Sequence, residues 1–105
     1  MFHVVFLVTK KKDMSQEEFT RYWIDEHTPI TAKTPGLRSY RCYPMSGFES
    51  DPPPFEAVAI VSFDDESAWN IAKASPEMQA ALADAPNFQT TDETFAFYAS
   101  EHVIV

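Results

Sequence analysis

The stretch FHVVFLVT, residues 2–9, is apolar at nearly every position. A strand with one wet face alternates apolar and polar side chains, because successive residues point to opposite sides. This one does not alternate, so it reads as a strand covered on both faces. In a chain of 105 residues, its own helices can cover one face. Something else must cover the other. A hydrophobic fraction of 45%, with 14% aromatic residues, is enough for a core, and the length suits one domain spanning 1–105.

The remaining elements follow from capping and turn chemistry. Ser15 and Glu18 form a capping box, with Ser15 as N-cap and Glu18 three positions on. Glu17 and Glu18 also suit the positive end of a helix. The apolar stripe of this helix runs through Phe19 and Trp23 to Ile30, with Tyr22 at its edge and His27 one turn past Trp23. Thr28 as a cap and Pro29 at the first helical position allow a bent second segment over 29–34, closed by TPG at 34–36. LRSYRCY (37–43) reads as a strand, and MSGFESDPPPF (45–55) as a long loop. FEAVAIVSF (55–63) is a second strong strand, antiparallel to the one before it. A helix over 64–74 is capped by Asp64 or Asp65. Another over 75–85 has Ser75 as cap and Pro76 at its start. PNFQTTDE (86–93) connects to a last strand over 94–105.

The order β-α-β-β-α-β is the split βαβ pattern of a ferredoxin-like α+β fold, a four-stranded antiparallel sheet with both helices on one face. The other face is left bare and apolar, and a patch that large is not left exposed on a soluble chain. A second copy packed sheet against sheet is the economical cover, which predicts a homodimer.

The formal net charge is −8, so a phosphate backbone or an anionic membrane surface is repelled. The basic run at 10–12 is followed at once by Asp13 and reads as a solvated turn. Cys42 is the only cysteine, which leaves no internal disulfide and no thiolate cluster. The apolar start is too short for a membrane span and lacks the basic opening of a signal peptide. These features predict a cytoplasmic protein.

The segment SQEEFTRYWIDEHTPITAKTPGLRSY (15–40) resembles the EthD family of the dimeric α/β-barrel superfamily. It carries that family's Phe, its Tyr-Trp pair, its His and Pro, and a Pro-Gly-Leu leading into the next strand. The VTKKKDM turn before it fits as well. Beyond about residue 40 the resemblance is architectural only. It implies a ferredoxin-like barrel dimer with a pocket between sheet and helices. The family is named for proteins of ethyl tert-butyl ether degradation. Relatives in the superfamily include lactone isomerases, polyketide cyclases and cofactor-free monooxygenases.

His27 is the first site candidate. A histidine titrates near neutral pH, which suits proton abstraction next to a carbonyl. The alternative is a helix-end cap donating to a free carbonyl, or to Asp25 or Glu26. His3 shares a strand face with Val5 and Leu7, and joins the pocket only if that face looks at the helices. His102 shares a face with Tyr98 and Ser100. Tyr22, Tyr40 and Tyr98 bring phenolic hydroxyls, and Trp23 and Trp69 bring apolar walls. Arg38 and Arg41 flank Tyr40 and read as edge-strand charges. Met45 and Phe48 read as lid residues. The histidines have no metal-ligand spacing, and no nucleotide loop or GxSxG is present. The expectation is a cofactor-independent protein that takes a hydrophobic oxygenated or aromatic molecule, with His27 as catalytic acid/base and His3, Tyr22, Trp23, Tyr40, Trp69 and Tyr98 around the substrate. Two alternatives remain open, a non-catalytic ligand-binding or accessory protein and a cofactor-free monooxygenase.

Overall fold

A computed structural model describes residues 1–105. The strands are β1 (Phe2–Val8), β2 (Ser39–Pro44), β3 (Ala57–Phe63) and β4 (Phe95–Ala99), in the order β2-β3-β1-β4 with every neighbouring pair antiparallel. The helices are α1 (Gln16–Tyr22), a π turn (Trp23–His27), α2 (Thr28–Thr31), α3 (Glu66–Lys73) and α4 (Pro76–Asp84). This is the ferredoxin-like α+β architecture. No helix is long and apolar enough to cross a membrane.

The register sorts the two faces. Val4 sits opposite Val61, and Phe6 opposite Ala59. Tyr40 and Cys42 of β2 fall on the same face, opposite Val61 and Ala59. All the helices pack here, in two core clusters. One gathers Val4, Val61 and Phe63 under Trp69, Ala72 and Met78. The other gathers Val8, Ala57 and Ala59 under Phe19, Trp23 and Phe88. The opposite face carries Val5 and Leu7 of β1, Val58 and Ile60 of β3, and Phe95 and Phe97 of β4. Phe95 and Phe97 are 64% and 49% exposed, and this is the bare apolar face that strand composition implied.

The caps form as expected. The Ser15 hydroxyl accepts from the Glu18 N–H at 3.1 Å, and the Glu18 carboxylate accepts from the Ser15 N–H at 3.1 Å. Asp65 caps α3 and Ser75 caps α4. Gly36 closes the first helical segment with φ +77°, a left-handed geometry that glycine adopts without strain.

Two expectations need correction. Thr28 does not cap the second segment but is its first helical residue, and the segment ends at Thr31. The Thr28 backbone is helical, its N–H donates to the Trp23 carbonyl five residues back, and its hydroxyl donates to the Ile24 carbonyl. The chain stays helical through one widened turn, which gives the Pro29 ring room where it would otherwise meet the carbonyl four residues earlier. The last strand is also shorter than expected. β1 pairs with β4 only from Leu7 back to His3, where the register ends at Ala99. Residues 100–105 have no strand beside them, and Val103 and Ile104 are 77% and 87% exposed.

Candidate active site

The stripe Trp23, His27, Thr31 runs along one side of the first helical segment and faces α4 on the same side of the sheet. Between them lies a cavity of about 80 Å³. Phe6, Val8, Ala59 and Val61 of the sheet form its floor, and Met78, Ala81, Leu82 and Ala85 form the far wall. Of its 15 lining residues 11 are hydrophobic. The polar side chains in the lining are His27, Thr31, Gln89 and Thr94, and Tyr40 lines it as well. A shallower groove beyond Tyr40, bounded by Ile24, Pro29 and Cys42, adds about 430 Å³.

His27 is held from both ends. Its Nδ1 lies 2.8 Å from Asp84 Oδ2. An ionised carboxylate can only accept, so Nδ1 carries the proton and donates. Nε2 is then the acceptor, and the Thr31 hydroxyl donates to it at 3.2 Å. Asp84 is saturated in turn. The Tyr22 hydroxyl donates to Oδ1 at 2.7 Å, and the Asn87 amide donates to the same oxygen at 3.0 Å. The side chains of His27 and Asp84 are only 12% and 13% exposed, and the Phe88 ring lies 4.5 Å from the imidazole.

The electrostatics follow from this enclosure. Burial pushes the His27 pKa down, and it stays below the ordinary value although the Asp84 contact works upward. Burial pushes Asp84 up, but its bonds from Tyr22, His27 and Asn87 outweigh this and leave it below the usual carboxylate value. The pair is therefore a neutral imidazole on an ionised carboxylate near pH 7. Tyr40 is raised well above the ordinary phenol range, first by burial and then by the neighbouring Cys42. It stays protonated.

The structure brings His27, Trp23 and Tyr40 together around the cavity. Tyr22 does not line it and reaches the site through Asp84. His3, Trp69 and Tyr98, expected around the same cleft, lie elsewhere. His3 is on the opposite sheet face, with Nδ1 2.6 Å from the Ser62 hydroxyl, because β1 turns its odd-numbered residues away from the helices. Trp69 is buried between Phe63 and Phe6 in the other core cluster. Tyr98 packs on Phe2 at 4.8 Å, at the far end of the edge strand β4. His102 is exposed beside Ser100. Arg38 makes a two-point pair with Asp64, both distances 2.9 Å, on the surface. Nowhere do three or more His, Cys, Asp or Glu side chains converge as metal ligands would.

Sequence reasoning missed Asp84, Thr31, Asn87, Gln89 and Thr94. Asp84 carried a usable signal. It ends a helix whose last turn has no basic residue, and a carboxylate there opposes the helix dipole. Thr31 sits four residues past His27, on the same helical line.

Fold and site define a ferredoxin-like α+β domain with an enclosed histidine–carboxylate pair. The EthD domain model matches residues 11–92, and the chain belongs to that family. An uncharacterized 11.0 kDa protein from the thcB-thcC intergenic region of Rhodococcus erythropolis is 28% identical over 86 residues, 82% of this chain and 84% of that one. The crystal structure of an ethyl tert-butyl ether D (EthD) family protein from Bacillus halodurans superposes with a TM-score of 0.82 at 22% identity, covering 97% of this chain and 99% of that one. A dimeric ferredoxin-like protein of unknown function from Thermobifida fusca gives a TM-score of 0.74 at 15% identity, covering 95% and 90%.

Proposed function

We propose that the chain is a small cofactor-independent enzyme of the isomerase or cyclase type. His27 takes and returns a proton on a hydrophobic oxygenated molecule bound in the helix–sheet cavity. The observation that carries this is the bonding of His27. Asp84 fixes the Nδ1–H tautomer, so Nε2 carries the lone pair, and only the Thr31 hydroxyl, itself part of the cavity lining, rests on it. Asp84 also balances the charge that appears when Nε2 is protonated. Depressed basicity keeps the imidazole neutral at pH 7, the form a base must have. Trp23 and Tyr40 would contact the substrate, with Tyr22 acting through Asp84. The reading includes a role in a degradation pathway, which family membership supports, and a cytoplasmic setting, where the lone Cys42 thiol remains reduced.

The working form in this reading is a homodimer joined through the apolar sheet face. An interface of this kind buries more than about 2,000 Å² in total. The Thermobifida protein is dimeric, which supports the same state here.

A second reading, a ligand-binding protein without turnover, is favoured by the Thr31 hydroxyl already resting on Nε2. One experiment separates the two. The protein is incubated in D₂O with a panel of neutral ketones, and deuterium entry next to the carbonyl is followed by NMR. The enzyme reading expects catalysed exchange that falls by roughly a hundredfold in His27→Gln, with ketone binding, read by Trp23 fluorescence quenching, retained. Saturable quenching without exchange in the wild type would leave the binding reading. Oxygen consumption during turnover would favour a monooxygenase instead.

A further inference from the structure

The proton-transfer reading gives the site a base but leaves the other half of the reaction open. When a proton leaves carbon next to a carbonyl, negative charge gathers on the carbonyl oxygen, and something must hold it. No lysine or arginine lines the cavity. Arg38 is spent on Asp64 at the surface, Arg41 lies on the opposite sheet face, and Lys73 sits over Trp69 at 5.6 Å. The charge bonded to the cavity's histidine from behind, Asp84, is negative. A carboxylate substrate would be repelled without compensation, so the cavity suits an uncharged molecule. The charge that develops on it must be met by a neutral donor.

The donors can be sorted. The Thr94 hydroxyl donates to the Thr90 carbonyl at 3.1 Å, so its proton is committed. The Thr31 proton points to His27 Nε2. The Gln89 amide remains, as does the Tyr40 hydroxyl, beside which lie the Cys42 thiol, a weak acceptor, and the Trp23 indole N–H, a donor only. Only Tyr40 is linked to the base, since Thr31, 3.2 Å from Nε2, is also among the polar neighbours of the Tyr40 hydroxyl. Tyr40, the second residue of β2, lines both the cavity and the outer groove.

We infer that Tyr40 is a second catalytic residue, the hydrogen-bond donor to the carbonyl oxygen of an uncharged ketone or enone whose adjacent C–H proton is taken by His27 Nε2. This inference rests on the proton-transfer reading. In the step, the C–H bond breaks and its proton goes to Nε2. The C–H electron pair becomes the C=C of an enolate, and the carbonyl π pair moves to oxygen, where the Tyr40 O–H donates. The imidazolium, balanced by Asp84, then returns the proton to the same carbon (exchange) or to a conjugated one (isomerisation). No oxidant, reductant or further reagent is needed. A phenol raised in pKa by burial remains a donor throughout and does not itself ionise.

The test pairs Tyr40→Phe with His27→Gln. Two measurements are made on the full chain: ketone exchange in D₂O, and binding of 4-nitrophenol, whose ionised form mimics an enolate and absorbs in the visible. In wild-type protein the Tyr40 O–H should offset part of the Asp84 repulsion and give a measurable preference for phenolate over what Tyr40→Phe binds. Tyr40→Phe should lose that preference and slow exchange by roughly a hundredfold, while uncharged nitrobenzene binds as before. His27→Gln should lose exchange but keep the phenolate preference. If Tyr40→Phe exchanges and binds phenolate like the wild type while His27→Gln is inactive, the Tyr40 assignment is overturned and the base stands. If His27→Gln exchanges as fast as wild type, the proton-transfer reading fails, and the inference fails with it.

Discussion

The two faces of the sheet each hold a histidine bonded through Nδ1 to an oxygen, and they differ in what surrounds it. His27 bonds Asp84 at 2.8 Å under the helices, in the lining of a cavity. His3 bonds the Ser62 hydroxyl at 2.6 Å on the bare face, with no carboxylate behind it. A hydroxyl can donate or accept, so Ser62 does not fix the tautomer of His3. A carboxylate fixes that of His27 and offsets its charge. The lesson is that the enclosed carboxylate, more than the histidine itself, separates a candidate base from a residue that merely satisfies its hydrogen bonds.

That contrast can be broken from either side. The largest effect is expected on the bare face. Phe97→Glu puts a charge in the apolar patch of each copy, and light scattering at micromolar concentration should then show monomers in place of dimers. A wild-type protein that is already a folded monomer would remove the sheet-face interface. On the helix face, Asp84→Asn should leave assembly intact and slow ketone exchange by roughly a hundredfold, because the base loses its charge partner and its fixed tautomer. His3→Gln, by contrast, should leave exchange unchanged.

Acid titration of stability sharpens the same difference. His27 has a folded pKa below its ordinary value of 6.5, so the unfolded chain takes up its proton first. Stability should therefore fall as pH drops below about 6.5 and keep falling until the folded pKa is passed. Asp84 is lowered from 3.8, so its contribution is present above that value and is lost further into acid. The pH dependence from urea melts should flatten in His27→Gln below about pH 6.5, and an unchanged slope would contradict the burial of a neutral imidazole. The smallest effect belongs to a region remote from both histidines. Ser15→Ala removes one side of the capping box and should cost about 1 kcal/mol in a urea melt, with no change in exchange.

Much of this molecule could be read from its residues because local chemistry dictates it. Ser15 with Glu18, Asp65, and Ser75 with Pro76 fix where helices begin, and the absence of alternation in FHVVFLV demands cover on both sides. Trp23 and His27 share a cavity because residues four apart share a helix face. What escaped was set at long range. Asp84 lies 57 residues from His27, and only the fold joins them. Which face of β1 looks at the helices decided against His3 in the cavity, and a pattern apolar on both sides could not reveal it. Residues 100–105 have strand composition, yet β1 ends too soon to pair with them.

The central claim is that burial keeps His27 a neutral base while Asp84 fixes its Nδ1–H tautomer, leaving Nε2 as the basic atom. ¹⁵N NMR of the imidazole measures this without any substrate. The account predicts an Nδ1-protonated ring at pH 7 that titrates below 6.5, and lower still in Asp84→Asn, since the carboxylate works to raise it. An Nε2-protonated ring, or a His27 that titrates above the ordinary value, would contradict it.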